Sequence, residues 1–198
     1  MPARWDTGAR ETSPRRLLAV PRSVAFVRNV MVGRNGLTRD VLLGIFADAG
    51  VDDPVSHLVT GNISFGQSQA SADFSERIEQ AIAAVIGRTE PVFIRSIDHL
   101  RDQVESRPFR DPPFDDVHER CVSFTKGSIG RLELPLATAR GDAIAFALRD
   151  GDIFSVTRLV GGRPGTMGKV LERTLGLPVT TRNWNTIELI LKSHASGT

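Results

Sequence analysis

Residues 23–28 (SVAFVR) form a strand-length run with Val24, Phe26 and Arg28 on one side and Ala25 and Val27 on the other, the two-residue period of a β-strand. The period then changes. Val41, Leu42, Ile45 and Phe46 recur at helical spacing after Thr38, a threonine suited to cap the helix, and Gly50 supplies a left-handed stop. Two more strand-like runs, 55–60 (VSHLVT) and 63–65 (ISF), are separated by Gly61-Asn62, a turn or bulge signal. From Asp73, the residues Phe74, Ile78, Ala81, Ile82, Val85 and Ile86 mark a second amphipathic helix that Gly87 closes. A further strand, 91–95 (PVFIR), leads to Ser96, which can cap a helix running to about Ser106 with Asp98 near its positive end. The order β-α-β-β-α-β followed by a helix predicts an α+β fold whose first half is a ferredoxin-like unit, its helices covering one face of an antiparallel sheet.

The second half begins after a proline-rich, acidic stretch at 107–119 (RPFRDPPFDDVHE), read as a linker or ordered loop. A strand at 121–125 follows, then 132–138 (LELPLAT), where Pro135 favours a sheet edge. Residues 143–149 and 153–159 flank Asp150-Gly151-Asp152, a hairpin signal. A glycine- and proline-containing segment at 161–165 reads as flexible, and helices are expected from about 167 to 175 and from about Trp184 onward. The predicted organisation is an arginine-rich disordered tail at 1–22, a ferredoxin-like domain at 23–106, the linker or loop at 107–119, and a smaller α+β domain at 120–198.

Composition changes this picture little: 198 residues, 40% hydrophobic and 24% charged, are those of an ordinary soluble globular protein. Its longest apolar runs, such as 81–86, fall far short of the roughly 20 residues that span a bilayer, so no membrane segment is expected. Cys121 is the only cysteine and cannot form an intrachain disulfide, which suits a reducing, cytoplasmic setting. Within its strand it reads as a small buried hydrophobe rather than a nucleophile.

Charge placement matters more than total charge. The pI of about 9.2 raises nucleic acid as a partner. Yet residues 1–22 hold Arg4, Arg10, Arg15, Arg16 and Arg22 against Asp6 and Glu11, a balance of +3, so with the chain at +2 the rest sums to −1. The basicity belongs to the tail, which lacks the apolar core of a secretory signal. An RNA-binding sheet would need exposed aromatics, whereas Phe26 shares its side with Val24, Phe65 shares its side with Ile63, and the chain has no tyrosine. Nucleic acid is therefore not the expected partner.

Candidate chemistry is sparse. His57, His99, His118 and His194 are dispersed and none forms a zinc-like pair, so neither a metal nor a cofactor is expected. Asp115, Asp116 and Glu119 read as a solvated acidic loop, against the alternative of a paired general acid and base. The segment 161–169 (GGRPGTMGK) departs from the order of a phosphate-binding Walker loop. It is either a connection after a hairpin or a turn whose backbone N–H groups, Arg163 and Lys169 face an anion. Residues 28–36 (RNVMVGRNG) are either a strand-to-helix loop with solvated arginines or a second anion-facing junction.

The stretch 180–186 (TTRNWNT) precedes an apolar helix. Asn185 is the expected N-cap, with Glu188 three residues on and Lys192 and His194 at the negative end. Trp184, Ile187, Ile190 and Leu191 share a core-facing side, and Arg182 and Asn183 ahead of the helix would suit an anion.

Together, VAFVRNVMVGRNGLT at 24–38, SHLVTGNISF at 56–65 and TTRNWNTIELI at 180–190 resemble the bacterial family called domain of unknown function 1697. Arg28, Gly33, Asn35, Gly61, Asn62, Arg182, Asn183, Trp184 and Asn185 match its pattern. Asn29 stands where the family usually has glycine, Met31 where it has asparagine, Arg34 where it has a second glycine, and Thr60 where it has serine. The resemblance implies an α+β protein with a ferredoxin-like first half and brings with it no established activity, substrate or cofactor.

The expectation that follows is a protein binding a small anionic ligand through Arg28, Arg34, Asn35, Asn62, Arg182 and Asn183, gathered from loops at one end of the sheet. Two alternatives stay open: a phosphate-handling enzyme using these groups for electrostatic stabilisation, and a structural or assembly module whose sheet edges pair between subunits. Whether the protein is an enzyme, and its oligomeric state, are not legible in the residues.

Overall fold

Strand β1 (Arg22–Val27) is the axis of the molecule because both of its faces are apolar and both are covered. The computed structural model describes residues 21–66 and 73–195, so the expected tail lies, but for its last two residues, outside the described chain. After β1 come α1 (Arg39–Asp48), β2 (Asp52–His57), β3 (Asn62–Gly66), α2 (Phe74–Ile86), β4 (Val92–Ser96) and α3 (Ile97–Glu105). The four strands form one antiparallel sheet in the order β2-β3-β1-β4. Caps stand where the sequence places them: Thr38 accepts from the Val41 N–H at 3.2 Å, Ser96 accepts from His99 N–H at 3.0 Å, and Gly87 closes α2 at φ 75°. Ala25 and Val27 of β1, with Ile63 and Phe65 of β3, pack against Leu42 and Phe46 of α1 and Ile78 and Ile82 of α2.

The second half contains β5 (Glu119–Thr125), β6 (Leu136–Ala137), β7 (Ala143–Arg149), β8 (Asp152–Thr157), β9 (Leu159–Val160), β10 (Arg163–Pro164), α4 (Gly168–Leu175), β11 (Val179–Asn183) and α5 (Trp184–Ser193). Five of its strands make a second sheet in the order β11-β5-β8-β7-β6, with the proline-flanked β6 at an edge. The protein is α+β, with helices set against antiparallel sheets. Asp150 and Gly151, at φ 49° and 82°, make the hairpin turn between β7 and β8, the left-handed pair that matches strand twist.

The two sheets share a core. Val24 and Phe26 on the other face of β1 meet Val122, Phe124, Phe154 and Val156 of the second sheet, with Trp184 and Ile187 of α5. Phe26 and Phe124 stack at 4.5 Å between ring centroids. The stretch at 107–119 contributes to this core: Phe109 is buried against Trp184 at 5.2 Å and Phe154 at 5.7 Å, and Phe114 and Val117 pack beside it. Phe26 and Phe65 have no exposed surface, so neither offers a ring for a base to stack on.

Three expectations need correction. The segment 161–165 is a tight hairpin, β9 to β10, turning on Gly161 and Gly162 at φ 61° and 73°. The TTRN residues continue the second sheet as β11, pairing Thr181 with Ser123. The cap of α5 is consequently Asn183, whose side chain accepts from the Asn185 N–H at 3.0 Å, rather than Asn185 itself. Extended backbone reaching Asn183 leaves the cap role to the last strand residue.

Candidate functional site

A cleft of about 290 Å³ opens where the loop after β1 faces α4 and the edge strand β11, lined by Arg28, Lys169, Glu172, Thr181 and Arg182 among others. That volume lies at the small end of ligand cavities. Of the six residues expected to converge, Arg28 and Arg182 line this cleft and Asn62 stands directly behind Arg182. Arg34 and Asn35 do not line it: they are exposed on a separate turn closed by an Arg34–Leu37 bridge. Asn183 does not line it either: it leaves β11 on the same side as Thr181 but two residues further on, over Glu119 and Cys121. Its amide donates to Glu119 at 3.4 Å.

Arg182 is fully engaged. Its Nε donates to Asn62 Oδ1 at 2.7 Å, one terminal nitrogen donates to Thr180 Oγ1 at 2.7 Å and Thr181 O at 3.0 Å, and the other to Val27 O at 2.8 Å and Thr60 O at 3.1 Å. These use all five N–H donors of a guanidinium. All five acceptors are neutral, and the Phe26 ring lies 5.7 Å from the guanidinium carbon. Burial lowers its pKa to about 10, so it remains a cation at neutral pH.

The acceptors explain the three motifs. Val27 belongs to the first, Thr60 and Asn62 to the second, Arg182 to the third. Gly61 between them holds φ 69°, and a Cβ there would lie 2.4 Å from Val30 Cγ2. Asn62 is completely buried, its amide donating to His57 O at 3.1 Å and Thr60 Oγ1 at 2.9 Å.

Arg28 is held differently. It donates to Val179 O at 3.2 Å, pairs with Glu90 at 3.3 Å and with Glu172 at 2.6 Å, which leaves two N–H groups of its five. Asn29 adopts φ 51°, a left-handed conformation that asparagine tolerates better than most residues, and so serves where the family has glycine. Its amide donates to Glu90 at 3.3 Å. Met31, which replaces the family's asparagine, is 43% exposed and lies outside the cleft lining.

A profile of the family described as protein of unknown function (DUF1697) matches residues 20–154. The chain belongs to that family. No curated protein matches this DUF1697 chain. Among solved structures it is similar to a conserved bacterial protein from Streptococcus pneumoniae, at 19% identity and a TM-score of 0.61, covering 88% of this chain and 98% of that one. At that identity the likeness concerns the fold.

Several cleft residues escaped sequence reasoning. Thr166, Thr180 and Thr181 have no signature as ligand groups, and Glu90 carries none for its place beneath Arg28. Lys169 belongs to one of two readings of the GGRPGTMGK segment, the anion-facing turn, and is not among the six expected site residues; it lines the cleft beside Gly168 at the start of α4, while Arg163 is exposed on β10 outside the lining. Glu172 follows Lys169 by three residues and so shares its helix side. Cys121 is buried, and burial followed by the Glu119 charge pushes its thiol up to about 12, so it is no nucleophile at neutral pH. Among the described residues there is no group of three or more metal-ligating side chains and no helix long and apolar enough to cross a membrane.

Proposed function

We propose that this protein binds a small anion in the cleft between the loop after β1 and α4. The observation that carries the reading is Lys169, exposed and, among the described residues, free of any ion pair, beside the first turn of α4, whose N-cap Met167 supplies no side-chain bond. Unsatisfied N–H groups at a helix start, with the dipole behind them, favour negative charge. The two remaining N–H groups of Arg28 and the hydroxyls of Thr166 and Thr181 line the same space. Arg182 contributes positive potential from behind. Its donors are occupied, so contact falls to Lys169, Arg28 and the helix start. Glu172, the carboxylate in the cleft lining, is tied to Arg28, which favours binding over general-base catalysis. The order β2-β3-β1-β4 with α1 and α2 on one face supports a ferredoxin-like first half as the scaffold.

Thermal unfolding with phosphate, sulfate, citrate and nucleoside monophosphates tests this reading. A ligand that binds the folded state raises the midpoint with concentration. A rise with phosphate that needs about tenfold more phosphate in Lys169→Ala is the expected result. Midpoints unmoved by every anion at millimolar concentration would remove the reading.

A further inference from the structure

One face of the second sheet is polar where it is buried. Register sets Glu119 opposite Thr157, Cys121 opposite Ser155, and Asn183 opposite Cys121, so these five side chains leave the sheet on one side. Val122, Phe124, Phe154 and Val156 leave on the other, into the shared core. Met167 and Leu171 cover the neighbouring apolar part of the polar face, next to Ala145 and Ile153. Residues 165–167 roof the polar part and border a half-open cavity of about 230 Å³. Gly165 fixes the roof height, since a Cβ there would lie 2.4 Å from Asp142 O.

Ser155 and Thr157 are 0% and 2% exposed, both line this cavity, and among the described residues neither Ser155 Oγ nor Thr157 Oγ1 has a hydrogen-bond partner. Buried hydroxyls normally have one. Thr166 and Thr181 line both this cavity and the cleft of Lys169, which makes the two spaces neighbours across a threonine pair. The cleft offers cationic donors. The cavity offers two unengaged hydroxyls and the Glu119 carboxylate, groups that exchange hydrogen bonds with alcohols. Among the described residues no aromatic side chain lines either space, so a nucleobase would find no ring there to stack on.

We infer that the ligand is a phosphorylated polyol of the sugar-phosphate class, its phosphate at Lys169 and the start of α4 and its hydroxylated chain against Ser155, Thr157 and Glu119. This rests on the anion-binding reading of the cleft. Calorimetric titration of the full chain with inorganic phosphate, glycerol 3-phosphate and ribose 5-phosphate tests it. At least one of the two esters should bind about tenfold or more tighter than phosphate, the gain that two modest hydrogen bonds supply. Thr157→Val, which keeps the side-chain shape, and Ser155→Ala should each reduce that gain and leave phosphate affinity unchanged, with thermal unfolding confirming that the variants are folded. Phosphate and both esters binding equally well, or a gain that survives in the double variant, would overturn the sugar-phosphate assignment while leaving the anion cleft intact. Failure of phosphate and of both esters to bind would overturn both.

Discussion

Arg28 and Arg182 line one cleft, yet their charges are met in opposite ways. Arg182 has five neutral acceptors and no spare donor, whereas Arg28 has two carboxylates, one carbonyl and two N–H groups left over. The first arrangement is a bracket: it ties the end of β1, the turn before β3 and β11 together from inside. The second is a hinge pin between the β1 loop and α4 whose outer side remains available. An arginine in a distinctive motif is therefore weak evidence for ligand contact until its donors have been counted.

Removing the bracket should have the largest effect. Arg182→Ala strands the carbonyls of Val27 and Thr60 and the Asn62 amide oxygen, and is expected to cost about 3 kcal/mol or more, read as a lowered urea midpoint. Arg182→Lys should recover only part, because an ammonium has three donors in the wrong geometry. A loss below about 1 kcal/mol in Arg182→Ala would break the contrast between the two arginines. Because this variant threatens the fold, lost binding in it would say nothing about ligand contact. Gly61→Ala comes next, at about 2–4 kcal/mol. The added methyl meets Val30 Cγ2 at 2.4 Å and Val27 Cβ at 3.1 Å in a left-handed backbone.

The local elements were legible because their signals are local: the threonine and serine caps, the Gly87 stop and the Asp150-Gly151 turn each act within a few residues. Strand β11 was not. Its threonines fit a strand, but strand pairing is decided by Ser123 and Phe124, more than fifty residues away. Missing that strand moved the expected cap from Asn183 to Asn185 and turned a paired segment into a loop. The fate of Arg182 was further out of reach, since Val27 and Asn62 lie 155 and 120 residues from it. Arg34 and Asn35 share a motif with Arg28, and that proximity in sequence is what places them in the expected site. The bridge from Arg34 to Leu37 curls them into their own exposed turn. Lys169, in contrast, stood in a glycine-rich segment whose helix start could be read directly.

Arg28→Ala should cost less than either change above, about 1–2 kcal/mol, since its pairs are partly solvated with Arg28 and Glu172 at 26% and 25% side-chain exposure. Salt sharpens the comparison. The deficit of Arg28→Ala should shrink at high ionic strength, while that of Arg182→Ala, made of short-range bonds to neutral groups, should not. A smaller effect comes from pH. Burial first, then the charges of His194, Arg22 and Arg39, lowers the pKa of His57; burial, then Arg22 and Arg101, lowers that of His194. Their folded values lie below the ordinary histidine value of about 6.5, so the unfolded chain takes up protons first as pH falls. Stability is then full above about pH 6.5 and declines below it, while Arg182 stays charged throughout. Urea midpoints at pH 7.5 and 5.5 should show the decline, reduced in His57→Gln.

The smallest structural effect belongs to Lys169→Ala, and it bears most directly on function. Lys169 is exposed and, among the described residues, unpaired on the first turn of α4, where a positive charge opposes the helix dipole. Its loss should leave the urea midpoint unchanged or slightly higher. Anion affinity should nevertheless fall about tenfold, the scale of one charge-assisted contact. That combination, stability kept and binding lost, is the inverse of what Arg182→Ala should produce. It would assign the two halves of the cleft separate work: neutral acceptors around Arg182 hold the sheets in place, and donors left open at α4 meet the ligand. Stability and anion binding both unchanged in Lys169→Ala would instead take Lys169 out of the site and leave anion contact to the two open N–H groups of Arg28 and the start of α4.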